Sequence, residues 1–256
     1  MAAELPWEQL RLTDIADLLP TLYQSEESSG WSSGMRRITH ALLDRRASLP
    51  GPSLEIGCGA GAFLTELRGR YPDQAHVGID LNALALPLAG AKGNLVAGAD
   101  LQQLPFADAS FALVVALDSF DQRGVDMLAG LRESWRVLRP QGLLVLRVSA
   151  HRWLEGAHDV AFNTGRRFAR AELVEALQAV GFPTVATTYA NALLSPAIVA
   201  VRLLQRWHLL PLREALYAAP DANRLLTHAL RWEARWLQRH NFGFGVSLYA
   251  IACKPD

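Results

Sequence analysis

From residue 53 almost to the end of the chain, short apolar runs alternate with segments whose apolar residues recur at helical spacing. "SLEIG" (53–57) is a β-like run closed by glycine, and Phe63, Leu64 and Leu67 share a face of the helix expected after it. "AHVGID" (75–80) and "NLVAGAD" (94–100) are two more such runs, each ending in an acid. "FALVVAL" (111–117) is continuously hydrophobic, as a central parallel strand covered on both faces must be. A helix striped with Leu128, Leu131, Trp135 and Leu138 leads to a further apolar run, "LLVLRVS" (143–149). "RAELVEALQAVGF" (170–182) predicts a helix closed by Gly181, and "PTVATTY" (183–189) and "VSLYAIACK" (246–254) predict the last two strands. Alternation at this spacing predicts a doubly wound α/β sheet.

Two regions stand outside the alternation. Residues 1–50 read as a helical lead-in, with a polar break at Gln24–Gly30 and a stop at Leu49–Pro52. Residues 51–256 form the main domain, in which about 190–245 read as a helical insertion before the last strand. Such a long connection is itself a sign of function. Within it, the helix at 223–240 carries Leu225, Leu226, Ala229, Trp232, Trp236 and Leu237 on one side. Arg224, His228, Arg231, Arg235 and Arg239 form a basic stripe beside them. Packing over the sheet with a solvated basic face is the preferred reading, and peripheral contact with a membrane surface is the alternative.

Composition narrows the classes. Lys+Arg 25 balances Asp+Glu 25 over 256 residues, so no global field favours nucleic acid. Two distant cysteines, Cys58 and Cys253, make no disulfide framework. The N-terminus has early acids and no apolar core of a signal peptide, and Pro196 and Arg202 interrupt the most apolar tract. A cytoplasmic protein without a membrane span is expected. No His/Cys/acid cluster has metal-ligand spacing, so no metal is expected.

The chemistry centres on "SLEIGCGAGAFLTEL". Gly57, Gly59 and Ala62 fit the dinucleotide fingerprint, while Glu55, Gly57, Gly59 and Gly61 fit an acidic loop for S-adenosylmethionine. Both use a sharp turn that opens a helix whose N–H groups are free, and Asp80 suits a ribose in either case. Glu55 would repel a pyrophosphate but favour a cationic amino-acid moiety. Asp100 can accept from an adenine amino group, with Leu101 flanking the ring.

At these residues the chain resembles the class I S-adenosylmethionine-dependent methyltransferases, especially the type 11 methyltransferase domain. The matching pieces are "LEIGCGAG", "VGIDLN", "ADLQQLPFADASFALVVALD" and "LRESWRVLRPQGLLVL", over roughly residues 50–150. The resemblance implies a seven-stranded Rossmann-like sheet with its last strand antiparallel. It implies that Glu55, Gly57, Gly59 and Gly61 line the methionine and ribose portion and that Asp80 holds the ribose, with Leu81 beside it. Asp100 and Leu101 would contact adenine, and Asp118 would lie close to the methionine end. "WSSGMRR" (31–37) and "HDVAFNTGRRFARAEL" (158–173) look like segments of a bacterial subgroup. Where that subgroup often carries Glu-His and a later histidine, this chain has Asp121-Gln122 and Thr164, so no role of those histidines carries over.

The expectation is an S-adenosylmethionine-dependent methyltransferase acting on an oxygen or nitrogen of a small, partly apolar acceptor. Its rivals are a nicotinamide-dependent oxidoreductase and a non-catalytic cofactor-binding partner protein. Cys58 serves either as a cofactor contact or as a turn filler. His151, just beyond the fifth strand, is the candidate general base, with shaping of the loop as the bland alternative. Asp118, Asp121, His158 and Tyr189 are the fallbacks. Trp7, Tyr23 and Trp31 form a lid or a packed edge, and Arg36 and Arg37 meet a carboxylate or solvent.

Overall fold

The structure is a computed structural model that describes residues 29–45, 51–156, 159–160, 162–183, 185–207 and 220–256. Seven strands form one sheet: β1 (Ser53–Ile56), β2 (His76–Asp80), β3 (Leu95–Gly98), β4 (Phe111–Leu117), β5 (Leu138–Ser149), β6 (Val185–Ala190) and β7 (Ser247–Cys253). Their order is β3-β2-β1-β4-β5-β7-β6. All pairings are parallel except those of β7, which runs antiparallel to both β5 and β6. The doubly wound sheet with an antiparallel last strand is therefore the one expected.

The helices are α1 (Gly30–Leu43), α2 (Ala62–Arg70), α3 (Ala85–Ala91), α4 (Met127–Val137), α5 (Arg170–Val180), α6 (Ser195–Arg206) and α7 (Pro220–Leu237). Two apolar cores separate them. On one face Leu131, Leu173, Leu177 and Phe182 pack on β4, β5 and β7. On the other, Met35, Ile38 and Leu42 of α1 and Leu230, Ala234 and Leu237 of α7 cover Leu113, Val145 and Tyr249. α1 and α7 approach so closely that a Cβ on Gly34 would lie 2.6 Å from Leu230.

Three expectations need correction. The fifth strand starts at Leu138, not 143, because Phe111 pairs with Leu138 before a register shift around Gln141, whose φ is +62°. In α4 the buried side is Met127, Gly130, Leu131, Ser134 and Val137, so Leu128 is exposed and Leu138 already belongs to the strand. In α7 the inward face is Leu230, Glu233, Ala234 and Leu237, which leaves Leu225, Trp232 and Trp236 exposed. The helix is turned because Glu233, fully buried, accepts a bond from Leu193 N–H at 2.8 Å and so ties α7 to the end of β6. Hydrophobic pattern alone carries no sign of that polar tie.

Trp31 belongs to a helix packed on the sheet, with the Arg147 guanidinium 5.4 Å from its ring centre. Trp7 and Tyr23 lie outside the described residues. Arg36 is buried and meets Glu66 at 2.7 Å, while Arg37 is exposed.

Candidate active site

The glycine turn is bound to the neighbouring strand before any ligand is considered. Gly57, Gly59 and Gly61 have φ of +72°, +52° and +76°, a run that side-chain-bearing residues resist. The N–H groups of Gly57 and Cys58 both donate to Ile79 O, at 2.8 and 2.9 Å. A Cβ on Gly57 would come within 2.2 Å of Ser119 Oγ, which donates to Ile56 O. Turn, β2 and the end of β4 are thus one piece.

Asp80 stands at the end of β2. Its Oδ2 accepts from Gly59 N–H and its Oδ1 from Asn82 N–H, both at 2.8 Å. Each oxygen keeps a lone pair for a further donor. Leu81 beside it is exposed, and Glu55 is buried within β1. Asp100 Oδ1 is held by Gln102 N–H at 2.9 Å. Two of the expected side chains pack inward. The Cys58 side chain lies against Gly78, and that of Leu101 lies in the core against Gly130.

At the carboxyl edge, three residues without a glycine's freedom take left-handed backbone: Asp118 after β4 (φ +58°), His151 after β5 (+60°) and Asn191 after β6 (+58°). Such strain collects where a side chain must be aimed. Arg147 Nε and a terminal nitrogen reach the two Asp118 oxygens at 2.9 and 2.6 Å. Burial opposes the charge on Arg147, yet Asp118 and Tyr249 hold it protonated above its ordinary range. Thr39 Oγ1 lies 2.9 Å from the Tyr249 hydroxyl, so α1 braces this clamp. Sequence reasoning missed Arg147, although a lone arginine inside "LLVLRVS" was the available signal. It also missed Asn191.

Asp121 is buried and accepts from Ser149 N–H at 2.7 Å, and its carbonyl accepts from Gly165 and Arg166. Burial first, then the neighbouring Asp118, pushes its carboxyl up to about 6. In an unfolded chain an aspartate titrates near ~3.9, so between roughly pH 4 and 6 the folded form binds the extra proton. Stability contributed there is present at low pH and lost as pH rises through that window. Asp121→Asn, which keeps an acceptor for Ser149, is expected to remove this decline. Urea melts of parent and variant across pH 4–7 check it, and parallel stability profiles would sink it.

His151 is half-buried among aromatic rings. Tyr189 stacks at 5.2 Å, Phe244 at 4.7 Å, and Trp153 lies at 5.8 Å. Burial pushes the imidazole below its ordinary pKa, which favours the neutral ring. Gly245 provides a backbone hydrogen bond to that ring, while Nε2 is buried with no partner among the described residues. Donation to the Gly245 carbonyl then falls to Nδ1–H, and Nε2 carries the free lone pair. His158 lies outside the described residues. Asp159 is committed to structure, since it faces Arg167 at 2.6 Å and Arg202 at 3.3 Å.

The donor set discriminates between ligands. Glu55 leads into the turn from β1, Asp80 bonds to it, Asp100 and Asp118 follow the ends of β3 and β4, and Arg147 is already engaged by Asp118. Such a site suits a cationic ligand that offers hydroxyls, and it opposes a pyrophosphate.

Comparison with known proteins agrees with this geometry. Residues 54–146 match the family described as "Methyltransferase domain". A demethylmenaquinone methyltransferase of Roseiflexus castenholzii is 40% identical over 44% of this chain and 48% of its own. A malonyl-[acyl-carrier protein] O-methyltransferase of Geobacter sulfurreducens is 32% identical over 59% and 62%. The chain thus spans about half the length of the first curated relatives it matches. Among solved structures, the putative methyltransferase of Haloferax volcanii, in complex with the Trm112 activator, has a TM-score of 0.63 at 19% identity. That match covers 97% of this chain and 100% of the other. Phosphoethanolamine N-methyltransferase 2 of Haemonchus contortus has a TM-score of 0.58 at 17% identity, covering 88% and 53%. The central segment, residues 54–146, thus matches the methyltransferase domain family, and the sheet around it has the fold of S-adenosylmethionine-dependent methyltransferases.

Proposed function

We propose that the protein transfers the methyl group of S-adenosylmethionine to an oxygen or nitrogen of a small, partly apolar acceptor bound at the carboxyl edge of β4, β5 and β6. The observation that carries the reading is Asp80, fixed by the Gly59 and Asn82 N–H groups beside three left-handed glycines. The cofactor, when bound, supplies an electrophilic methyl on a sulfonium. Asp80 accepts from the ribose hydroxyls, Asp100 from the adenine amino group, and Glu55 and Asp118 favour the cationic amino-acid end. The acceptor lies against His151, Tyr189, Trp153 and Phe244, whose rings exclude water and hold it in line with the methyl. With cofactor and acceptor bound, His151 Nε2 would take the proton that the acceptor loses on methylation.

The relatives' names give two unlike acceptors, a demethylmenaquinone and a malonyl-[acyl-carrier protein]. The aromatic lining supports the more apolar class here. Loops on a rigid sheet commonly set such specificity. A best acceptor that is small, fully polar and highly charged would contradict this.

His151→Ala is expected to lower turnover about a hundredfold at neutral pH, the middle of the range for general-base catalysis, and to remove the acid-side limb of the pH profile. Calorimetry with S-adenosylhomocysteine should show unchanged cofactor affinity. A parent-like pH profile would make His151 a wall of the pocket only. Binding of a nicotinamide dinucleotide in place of S-adenosylhomocysteine would overturn the cofactor assignment itself.

A further inference from the structure

The outer side of α7 is not used by the site described above. Between Arg224 and His240 it exposes Arg224, His228, Arg231, Arg235, Arg239 and His240, and the acid in that stretch, Glu233, is buried. None of the four arginines forms an ion pair with a described residue. Arg231 and Arg235, with Arg37 and Arg70, also line a cleft of about 390 Å³ between α1 and α7. The cleft's two acids are engaged, Asp44 with Arg70 and Glu66 with Arg36 and His40.

Along the flank of this row runs an apolar stripe. Leu225 is 69% exposed, Trp232 47% and Trp236 40%, and the two indoles stack at 5.5 Å. Residues 224, 231 and 235 and residues 225, 232 and 236 follow the same helical period one position apart, and Arg239 follows in the turn after the helix. One flat surface can therefore touch both rows. Tryptophan beside arginine, with no exposed acid in between, matches the boundary of an anionic lipid layer, where indoles sit at headgroup level and cations meet phosphates. A soluble protein partner needs no such plane. The stripe also continues inward, since Trp236 lies 6.3 Å from Phe242, which bridges to Tyr189 in the aromatic pocket.

We infer that the outer face of α7 docks the protein on the surface of an anionic phospholipid membrane, with Trp232 and Trp236 at headgroup depth and the arginine row on the phosphates. An acceptor held in that membrane would then lie next to the pocket.

The test is flotation of the full chain with vesicles of phosphatidylcholine alone, and with roughly a third phosphatidylglycerol. Comigration with the anionic vesicles only is expected, with release at high salt and a blue shift of tryptophan emission on binding. Arg231→Glu with Arg235→Glu should lower partitioning roughly tenfold or more, because each basic residue near such a surface contributes measurably. S-Adenosylhomocysteine affinity and the melting temperature of the variant should stay those of the parent. If that pair proves unstable, Arg224→Glu with Arg239→Glu reads the same row. No flotation, equal binding to neutral vesicles, or parent-like binding by both charge-reversed pairs overturns the proposal. So does binding of the parent to an acidic polypeptide in preference to the anionic vesicles.

Discussion

Replacing Asp80 by alanine is expected to weaken S-adenosylhomocysteine binding about ten- to a hundredfold while the sheet stays intact. Two contributions add. The ribose loses hydrogen bonding to a charged acceptor, a loss of about 1.5–3 kcal/mol. The loop also loses the carboxylate that fixes Gly59 N–H and Asn82 N–H at 2.8 Å, so the turn is less well ordered before the ligand arrives. Asp80→Asn keeps one acceptor and should fall between parent and alanine. Calorimetry on folded variants checks the order, and an alanine variant with parental affinity would remove Asp80 from the site.

The largest loss of stability is expected at the other end of the pocket. Arg167 and Asp159 are both buried at 2.6 Å, and Arg167 also donates to Ala150 O at 2.9 Å. Arg202 of α6 joins them and donates to the carbonyl of Leu154. Arg167 holds the Asp159 carboxyl below the usual range against its burial. Arg167→Ala leaves that buried carboxylate with only the longer Arg202 contact and the Gly156 N–H, so the loss should approach the about 3–5 kcal/mol of a broken buried pair. For a chain of this length that lowers the melting temperature by about 6–20 °C. Because the depressed Asp159 stabilises the fold only above its unfolded titration near ~3.9, the gap between parent and variant should narrow toward pH 3. A change below about 1 kcal/mol at pH 7 would mean that the pair is solvated and does not tie the insertion to the sheet.

The sheet and the glycine turn were legible because both are local. Short apolar runs, the G-x-G-x-G spacing and an acid closing β2 lie within a few residues of one another, and each strand lies near its expected place, although β5 begins earlier, at Leu138. What stayed hidden is non-local. Arg147 looks like an odd charge in a hydrophobic strand until β4 brings Asp118 beside it. Glu233 looks like a solvent residue of an amphipathic helix, yet it bonds to Leu193, so the stripe drawn from the sequence was rotated from the face that packs. Leu101 and Cys58 were themselves expected at the cofactor, and the packing of their side chains toward Gly130 and Gly78 is set by the tertiary fold. His151 was visible as a residue at a strand end. Its stacked partners Tyr189 and Phe244, from β6 and from the approach to β7, were not, because they meet only when the last three strands close the sheet.

The most direct measurement is transfer of a labelled methyl group from S-adenosylmethionine into fractionated cell extract. The account predicts label in the apolar, organic-soluble fraction with the parent enzyme, strongly reduced with Asp80→Ala and with His151→Ala. Intact S-adenosylhomocysteine binding with no transfer to any fraction would contradict it and leave a cofactor-binding protein without this activity.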